Sequence, residues 1–330
     1  MFSDGLPSGM VAPDSIRKEN SELIKPMLGL SEDEGIEPVG YREPTFDDLF
    51  RERFIPLDCR KKVGNYVIGK TFGEGSFSKV RLAKHVSTGE KRAVKILPKK
   101  TVLNQCDVRR RFLREVRSLR QITHENVVQL FEVMETSRNY YIVLELLPGD
   151  NFKEYLRKRK SLPEDESRYY MNQISDAINY LHMNDIVHRD LKPENILLEK
   201  KQIKIIDFGL STLTSAMETM TTQCGSPAYA APEIFTKQPY TKRVDVWSIG
   251  VILYLSLTGS LPFNTHGRSS VHQYANVLQG YTLPPGIPLS EGCCDILAQM
   301  LKVNPDERIS SSDLVHHAWL KNEPNLPGNR

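Results

Sequence analysis

The apolar positions of this chain begin to follow regular periods near residue 66. Tyr66-Val67-Ile68-Gly69-Lys70-Thr71-Phe72 reads as a β-strand, and the glycine-bearing run from Gly73 to Val80 follows it as a turn. Ala93-Val94-Lys95-Ile96-Leu97 is a further strand, apolar except for its central lysine. Good helix formers dominate Arg109 to Gln121, with Phe112, Leu113, Val116 and Leu119 at helical spacing. Most of the six arginines in this helix (109, 110, 111, 114, 117 and 120) are expected to be solvated. Tyr140 to Leu147 reads as a buried strand ending at Pro148-Gly149. The longest apolar run, Ile249 to Leu257, is too short to span a bilayer and reads as a buried helix. Ser211 to Gln223 is polar, rich in Ser, Thr and Met, and has no apolar period, as in a mobile segment.

Upstream of residue 66 the pattern changes. Residues 1–40 hold Gly, Pro, Ser and acids with little periodicity and are expected to be a disordered acidic tail. In Thr45 to Phe54, Thr45 and Asp48 resemble a capping box, and Phe46, Leu49, Phe50 and Phe54 fall on one helical face. So short a helix is marginal alone. The segment is therefore either frayed or docked through its aromatic face. The expected organisation is a tail (1–40), an extension with a docking helix (41–65), one large domain (66–320) and a C-terminal tail (321–330).

Composition narrows the classes. The chain is 330 residues long and 39% hydrophobic, enough for a substantial core in two lobes. Its net charge of +3 divides into −5 over residues 1–40 and +8 over the rest. That excess suits phosphate ligands but is too small and scattered to indicate nucleic acid. The five cysteines have no metal-ligand spacing, and an odd count without a secretory leader reads as reduced intracellular thiols. Met1 to Met10 has no apolar signal core, and Phe2 excludes N-myristoylation. A cytoplasmic or nuclear protein with no membrane attachment is expected.

The chemistry is concentrated in Ile186-Val187-His188-Arg189-Asp190-Leu191-Lys192-Pro193-Glu194-Asn195, followed by Asp207-Phe208-Gly209. Phosphoryl transfer needs a carboxylate facing the attacking hydroxyl and a cation offsetting charge on the migrating group. It also needs an amide and a second carboxylate for Mg²⁺. Asp190, Lys192, Asn195 and Asp207 supply those groups in that order. Upstream, Gly73 and Gly75 let backbone N–H groups approach phosphates. Lys95 needs a partner for its ammonium inside an apolar strand, and Glu115 beside the helical stripe is the candidate.

Together these motifs resemble the eukaryotic protein kinases. The resemblance implies an α+β, bilobal fold: a small β-sheet lobe with one main helix (66–147) and a larger, mainly helical lobe (148–320). It implies ATP and Mg²⁺ as cofactors. ATP would lie under Phe72, Gly73, Glu74, Gly75, Ser76, Phe77, Ser78, Lys79 and Val80, where Ser78 replaces the family's third glycine. Val80, Ala93 and Leu197 would sandwich adenine, with Leu144 as gatekeeper. Glu145 C=O and Leu147 N–H would bind its edge, and Asn151 would lie near the ribose. Lys95, held by Glu115, would position the α- and β-phosphates, and Asn195 and Asp207 would bind Mg²⁺. Glu233 and Arg308 would form a buried bridge, and Asp245 would tie to the catalytic-loop backbone.

Lys192 and the run Cys224 to Ala230 point by resemblance to serine/threonine specificity, with Ser226 bridging Asp190 and Lys192. The run Thr222 to Glu233 is similar to the AMP-activated protein kinase-related branch of the calcium/calmodulin-dependent group. Val63 to Gly69 and Pro227-Ala228-Tyr229 are most similar there to the hormonally up-regulated Neu-associated kinase type. Asn151 stands where many basophilic relatives have an acid, and Glu194 remains as an acid near the substrate. Thr222 is the expected activating phosphosite, with Arg189 and Arg111 as partners and Thr221 as the competing site. Implied partners are protein substrates and either an upstream kinase or autophosphorylation. Two alternatives stay open: a pseudokinase scaffold, disfavoured by intact Lys95, Asp190 and Asp207, and a small-molecule kinase.

Overall fold

The computed structural model describes residues 62–75, 77–213, 225–235, 239–263 and 276–322. The tail, the segment Thr45 to Phe54, Ser76, Thr221, Thr222 and Cys224 lie outside the described residues.

The N-terminal part is a sheet built from β1 (Lys62–Val63), β2 (Tyr66–Glu74), β3 (Lys79–His85), β4 (Lys91–Pro98), β5 (Leu130–Glu135) and β6 (Asn139–Glu145). Its strand order is β1-β2-β3-β4-β6-β5, with antiparallel neighbours. Helices α1 (Lys99–Asn104) and α2 (Cys106–Arg120) follow β4. Successive side chains of a strand point to opposite faces, and β6 is covered on both. Tyr140 and Ile142 pack with Val102, Val108, Phe112 and Val116 of the two helices. Tyr141 and Val143 pack with Tyr66, Ile68, Val94 and Met134. That double burial explains why the strand reads as an unbroken apolar run. Each such side chain contributes about 1.5–3 kcal/mol of hydrophobic stabilisation. The arginines of α2 divide more evenly than their sequence suggests: Arg109 is buried and Arg114 and Arg117 half-buried, while Arg110, Arg111 and Arg120 are exposed.

The C-terminal part is organised around α3 (Phe152–Arg159), α4 (Glu164–Met183), α5 (Pro232–Phe235), α6 (Arg243–Thr258) and α7 (Glu291–Met300). Two small antiparallel two-stranded sheets lie beside them: β7 (Ile186–Val187) with β10 (Thr212–Leu213), and the hairpin of β8 (Ile196–Glu199) with β9 (Gln202–Ile205). Helix α6 is buried on all sides from Val244 to Tyr254, as expected of a helix apolar all round. It starts earlier than the apolar run because Asp245 and Ser248 are buried through hydrogen bonds rather than apolar contact. Gly250 lets α7 approach: a Cβ there would lie 2.9 Å from Leu301 Cδ2 and 3.0 Å from Met300 Cβ.

Polar anchors fix these helices. Arg308 donates to both oxygens of Glu233, at 2.7 and 3.0 Å, and to the Arg243 and Lys302 carbonyls at 2.9 and 3.0 Å. Glu164, at the start of α4, accepts from Ser290 N and Oγ at 2.8 and 2.6 Å and from Trp319 Nε1 at 2.7 Å. Among the described residues no helix is long and apolar enough to cross a membrane.

Candidate active site

The site lies between the sheet and the helical part. The β2–β3 turn closes with Gly75 N donating to Ser78 O at 2.8 Å, and Gly73 pairs with Val80. Phe72 and Phe77 are exposed along this loop, and Glu74 and Lys79 form a solvated ion pair at 3.1 Å. Strand register sets Val80 opposite Lys95 and Ala93 opposite Leu144. Ala93, Lys95 and Leu97 share one face of β4, and Leu97 packs against α2 on that side. Lys95 Nζ therefore meets Glu115 of α2, donating to its two oxygens at 2.7 and 2.6 Å. Burial alone would lower the Lys95 ammonium. The carboxylates of Glu115 and Asp207 outweigh it and hold Lys95 above its ordinary value.

Below the sheet, Asn151 and Leu197 form a β-bridge, so the expected ribose and adenine contacts are neighbours. Asn151 Oδ1 also caps α3, accepting from Glu154 N at 2.9 Å. Leu147 is buried and Leu144 half-buried. The Glu145 carboxylate is held through Oε2 by Lys204 at 2.9 Å.

The catalytic-loop geometry starts at Asp245. Its carboxylate accepts from His188 N and Arg189 N, both at 2.9 Å, and from His182 Nε2 at 2.9 Å. Burial pushes Asp245 up, but His182, His188 and the Arg189 N–H prevail and hold it below the usual carboxylate range. Arg189 sits at φ 66°, a conformation costing on the order of 1–2 kcal/mol for an L-residue. Its side chain offsets that cost by donating to Leu210 O at 2.7 Å and Tyr240 OH at 3.1 Å. Arg189 Nη2 is buried without a hydrogen-bond partner among the described residues.

This turn presents Asp190. Lys192 Nζ lies 2.8 Å from Asp190 Oδ2 and 2.8 Å from Ser226 Oγ. Ser226 donates from N and Oγ to Asp190 Oδ1, both at 3.0 Å. Gly225 allows this approach: it adopts φ 93°, and a Cβ there would stand 2.6 Å from Arg189 O. Asn195 Nδ2 donates to Asp190 O at 2.9 Å and Oδ2 at 3.2 Å. Its amide nitrogen is thus spent on Asp190, leaving Oδ1 as the group a cation can use.

Asp207 adopts φ 64°, ψ 77° and accepts a long bond from Gly209 N at 3.4 Å. Burial pushes its carboxyl up, but Lys95, His188, Gly209 N–H and Lys192 prevail and hold it below its ordinary value. An ionised hard oxygen therefore lies in the fields of both lysines. Phe208 is fully buried, edge-on to His188 at 5.1 Å. The Arg111 Cβ lies 3.7 Å from a Cβ built on Gly209, next to the segment that follows Asp207.

One expectation is corrected. Glu194 is not a free acid: Lys153 Nζ donates to its Oε1 at 2.8 Å, because the first turn of α3 faces the Pro193–Asn195 turn. His182, Tyr240 and Lys153 were not singled out by sequence reasoning. For His182 the only signal was its place at the end of a helix that leads into His188. Tyr240 and Lys153 gave none.

The family model of the protein kinase domain matches residues 66–320. Over 275 residues the chain is 42% identical to the hormonally up-regulated neu tumor-associated kinase of Homo sapiens, covering 82% of this chain and 38% of that protein. It is 43% identical over 260 residues to the SNF1-related protein kinase catalytic subunit alpha KIN12 of Arabidopsis thaliana, covering 78% and 52%. It is 43% identical over 263 residues to the carbon catabolite-derepressing protein kinase of Candida glabrata, covering 79% and 42%. The chain thus spans between 38% and 52% of the length of these relatives. They agree with the branch that the Thr222 to Glu233 run resembles.

Proposed function

Because the chain belongs to the protein kinase domain family, we propose that it transfers the γ-phosphoryl of ATP to serine and threonine hydroxyls of proteins. The observation that carries this reading is the single constellation of Asp190, Lys192, Asn195 and Ser226 set beside a formed Lys95–Glu115 pair. Asp190 orients the incoming hydroxyl and takes its proton. Lys192 offsets charge on the migrating phosphoryl, and Ser226 fixes both side chains. Lys95 positions the α- and β-phosphates. Most of the acceleration comes from alignment and preset charge.

The donor set suits Mg²⁺, which takes hard oxygen ligands and keeps several waters. Asp207 supplies an ionised carboxylate and Asn195 its amide oxygen. The bound ion would neutralise phosphate charge. Val80, Ala93 and Leu197 would flank adenine, with Glu145 C=O and Leu147 N–H at its edge.

Activation by phosphorylation of Thr222 belongs to this proposal. The buried Nη2 of Arg189, which has no hydrogen-bond partner among the described residues, supports it, as does the position of Arg111 beside Gly209. A phosphate adds nearly two negative charges and strong acceptors, so pairing with Arg189 would stiffen the backbone that presents Asp190. The test is phosphorylation of an arrayed peptide library, with and without prior phosphorylation of Thr222. The proposal expects Ser and Thr spots that intensify after phosphorylation and weaken in Thr222→Ala. Label on Tyr alone, or a fully active Thr222→Ala protein, would contradict it.

A further inference from the structure

Two buried hydroxyls join α2 to the segment that follows Asp207. Ser118 of α2 and Ser211 are both buried. Their Oγ atoms lie 2.8 Å apart although 93 residues separate them in the chain. Ser211 Oγ donates to Phe208 O at 2.7 Å. A hydroxyl has a single proton to give, so Ser211 accepts from Ser118. The relay thus runs from α2 through Ser211 to the carbonyl of the residue after Asp207. The same segment is tied to the helical part, where Arg189 Nε donates to Leu210 O at 2.7 Å and β10 pairs with β7. Elsewhere α2 is seated by apolar packing. Val108, Phe112 and Val116 pack on Leu97, Tyr140 and Ile142, and Leu119 packs into the core of the helical part. Apolar burial is non-directional, whereas a hydrogen bond has a required distance and angle. The relay therefore sets the rotation of α2 about its own axis. Ser118 lies three residues after Glu115, hence on the same face of the helix, and Glu115 is the partner of Lys95.

From this geometry, and resting on the kinase reading above, we infer that Ser118 is a positioning residue for phosphoryl transfer. Through Ser211 it fixes α2 against the Asp207 segment and so keeps Glu115 on Lys95, the residue that positions the α- and β-phosphates. Both serines act through Glu115 and Lys95, not on the substrate. Alanine would form the better helix at position 118, so the hydroxyl there is explained by its partner. A second buried pair has the same arrangement and supplies the control. Ser256 Oγ lies 2.8 Å from Leu253 O and 3.1 Å from Ser167 Oγ. That pair joins α6 to α4 and includes none of the residues assigned to the site.

The experiment uses the full chain with a Ser peptide at saturation, and measures kcat/KM for Mg·ATP together with Tm. Ser118→Ala and Ser211→Ala should each lower kcat/KM for ATP by a factor of about 3 to 10, the scale of one net hydrogen bond. The double substitution should lose no more than the larger single loss, because both remove the same bond. In a Glu115→Gln background, Ser118→Ala should change kcat/KM for ATP by less than about twofold, since the group it positions is already gone. Ser167→Ala removes the matched hydroxyl and should stay within about twofold of wild type in kcat/KM for ATP, whatever its Tm. Wild-type kcat/KM for ATP in Ser118→Ala would overturn the inference. So would an equal loss in Ser167→Ala, additive losses in the double variant, or an undiminished loss in the Glu115→Gln background. No transfer by the wild type to any peptide, with nucleotide bound, would instead reject the kinase reading and this inference with it.

Discussion

Glu233→Gln is the substitution whose consequence follows most directly from the structure. Arg308 is fully buried and Glu233 nearly so. The bidentate bond between them, at 2.7 and 3.0 Å, joins α5 to the segment after α7. A glutamine keeps the shape of Glu233 but carries no charge. It leaves the Arg308 guanidinium in the interior without its countercharge, with one amide oxygen in place of two carboxylate oxygens beside the carbonyls of Arg243, Lys302 and Val303. Stranding a buried charge costs about 3–5 kcal/mol. For a domain of this size 1 kcal/mol moves the midpoint by about 2–4 °C, so Tm should fall by about 6–20 °C. Replacing both partners removes the stranded charge. Glu233→Gln/Arg308→Met should therefore lose clearly less than the two single substitutions added together. Thermal and urea denaturation of the four proteins measures the cycle. Additive losses, or a Glu233→Gln loss below about 1 kcal/mol, would refute the reasoning.

The buried carboxylate of Asp245 has a folded-state value below its unfolded one. It therefore contributes stability that is present above the unfolded value of about 4 and lost as pH falls through the folded value. Asp245→Asn should flatten the acid side of the stability curve below about pH 4, and an unchanged acid limb in urea titrations would contradict this. Burial pushes the Cys293 thiol up to about 12, whereas Cys106 is exposed. Iodoacetamide at pH 8 should therefore label Cys106 and spare Cys293 until the protein is unfolded, as read by peptide mass spectrometry. Asp207→Asn removes a hard oxygen charge and should weaken Mg²⁺-dependent ATP binding in calorimetry. Wild-type Mg·ATP affinity in that variant would remove Asp207 from the metal role.

How far the sequence carried depended on how local each feature is. Strands β2, β4 and β6 and helix α2 were legible because their apolar periods are uninterrupted, and Lys95 stood out as a charge inside such a strand. The start of α6 was not legible. Asp245 and Ser248 are buried by hydrogen bonds to residues far along the chain, and that burial leaves no apolar mark. His182 and Tyr240 escaped notice for the same reason, since their partners lie 63 and 51 residues away. Glu194 was read as free because its acid is visible in the sequence, whereas Lys153 reaches it only once α3 packs beside the Pro193–Asn195 turn. The buried Nη2 of Arg189, without a partner among the described residues, likewise depends on a backbone at positive φ whose N–H groups Asp245 holds.

The central claim is that Asp190 directs phosphoryl transfer from ATP to a protein hydroxyl. The most direct measurement compares wild type with Asp190→Asn for label transfer from γ-labelled Mg·ATP to a mixed Ser, Thr and Tyr peptide pool, with nucleotide affinity measured on the same samples. The account predicts label on Ser and Thr with the wild type. Asp190→Asn should lose transfer by a factor of about 100 or more while keeping ATP affinity close to wild type. Equal transfer by both proteins, or parallel loss of ATP affinity and turnover, would contradict it.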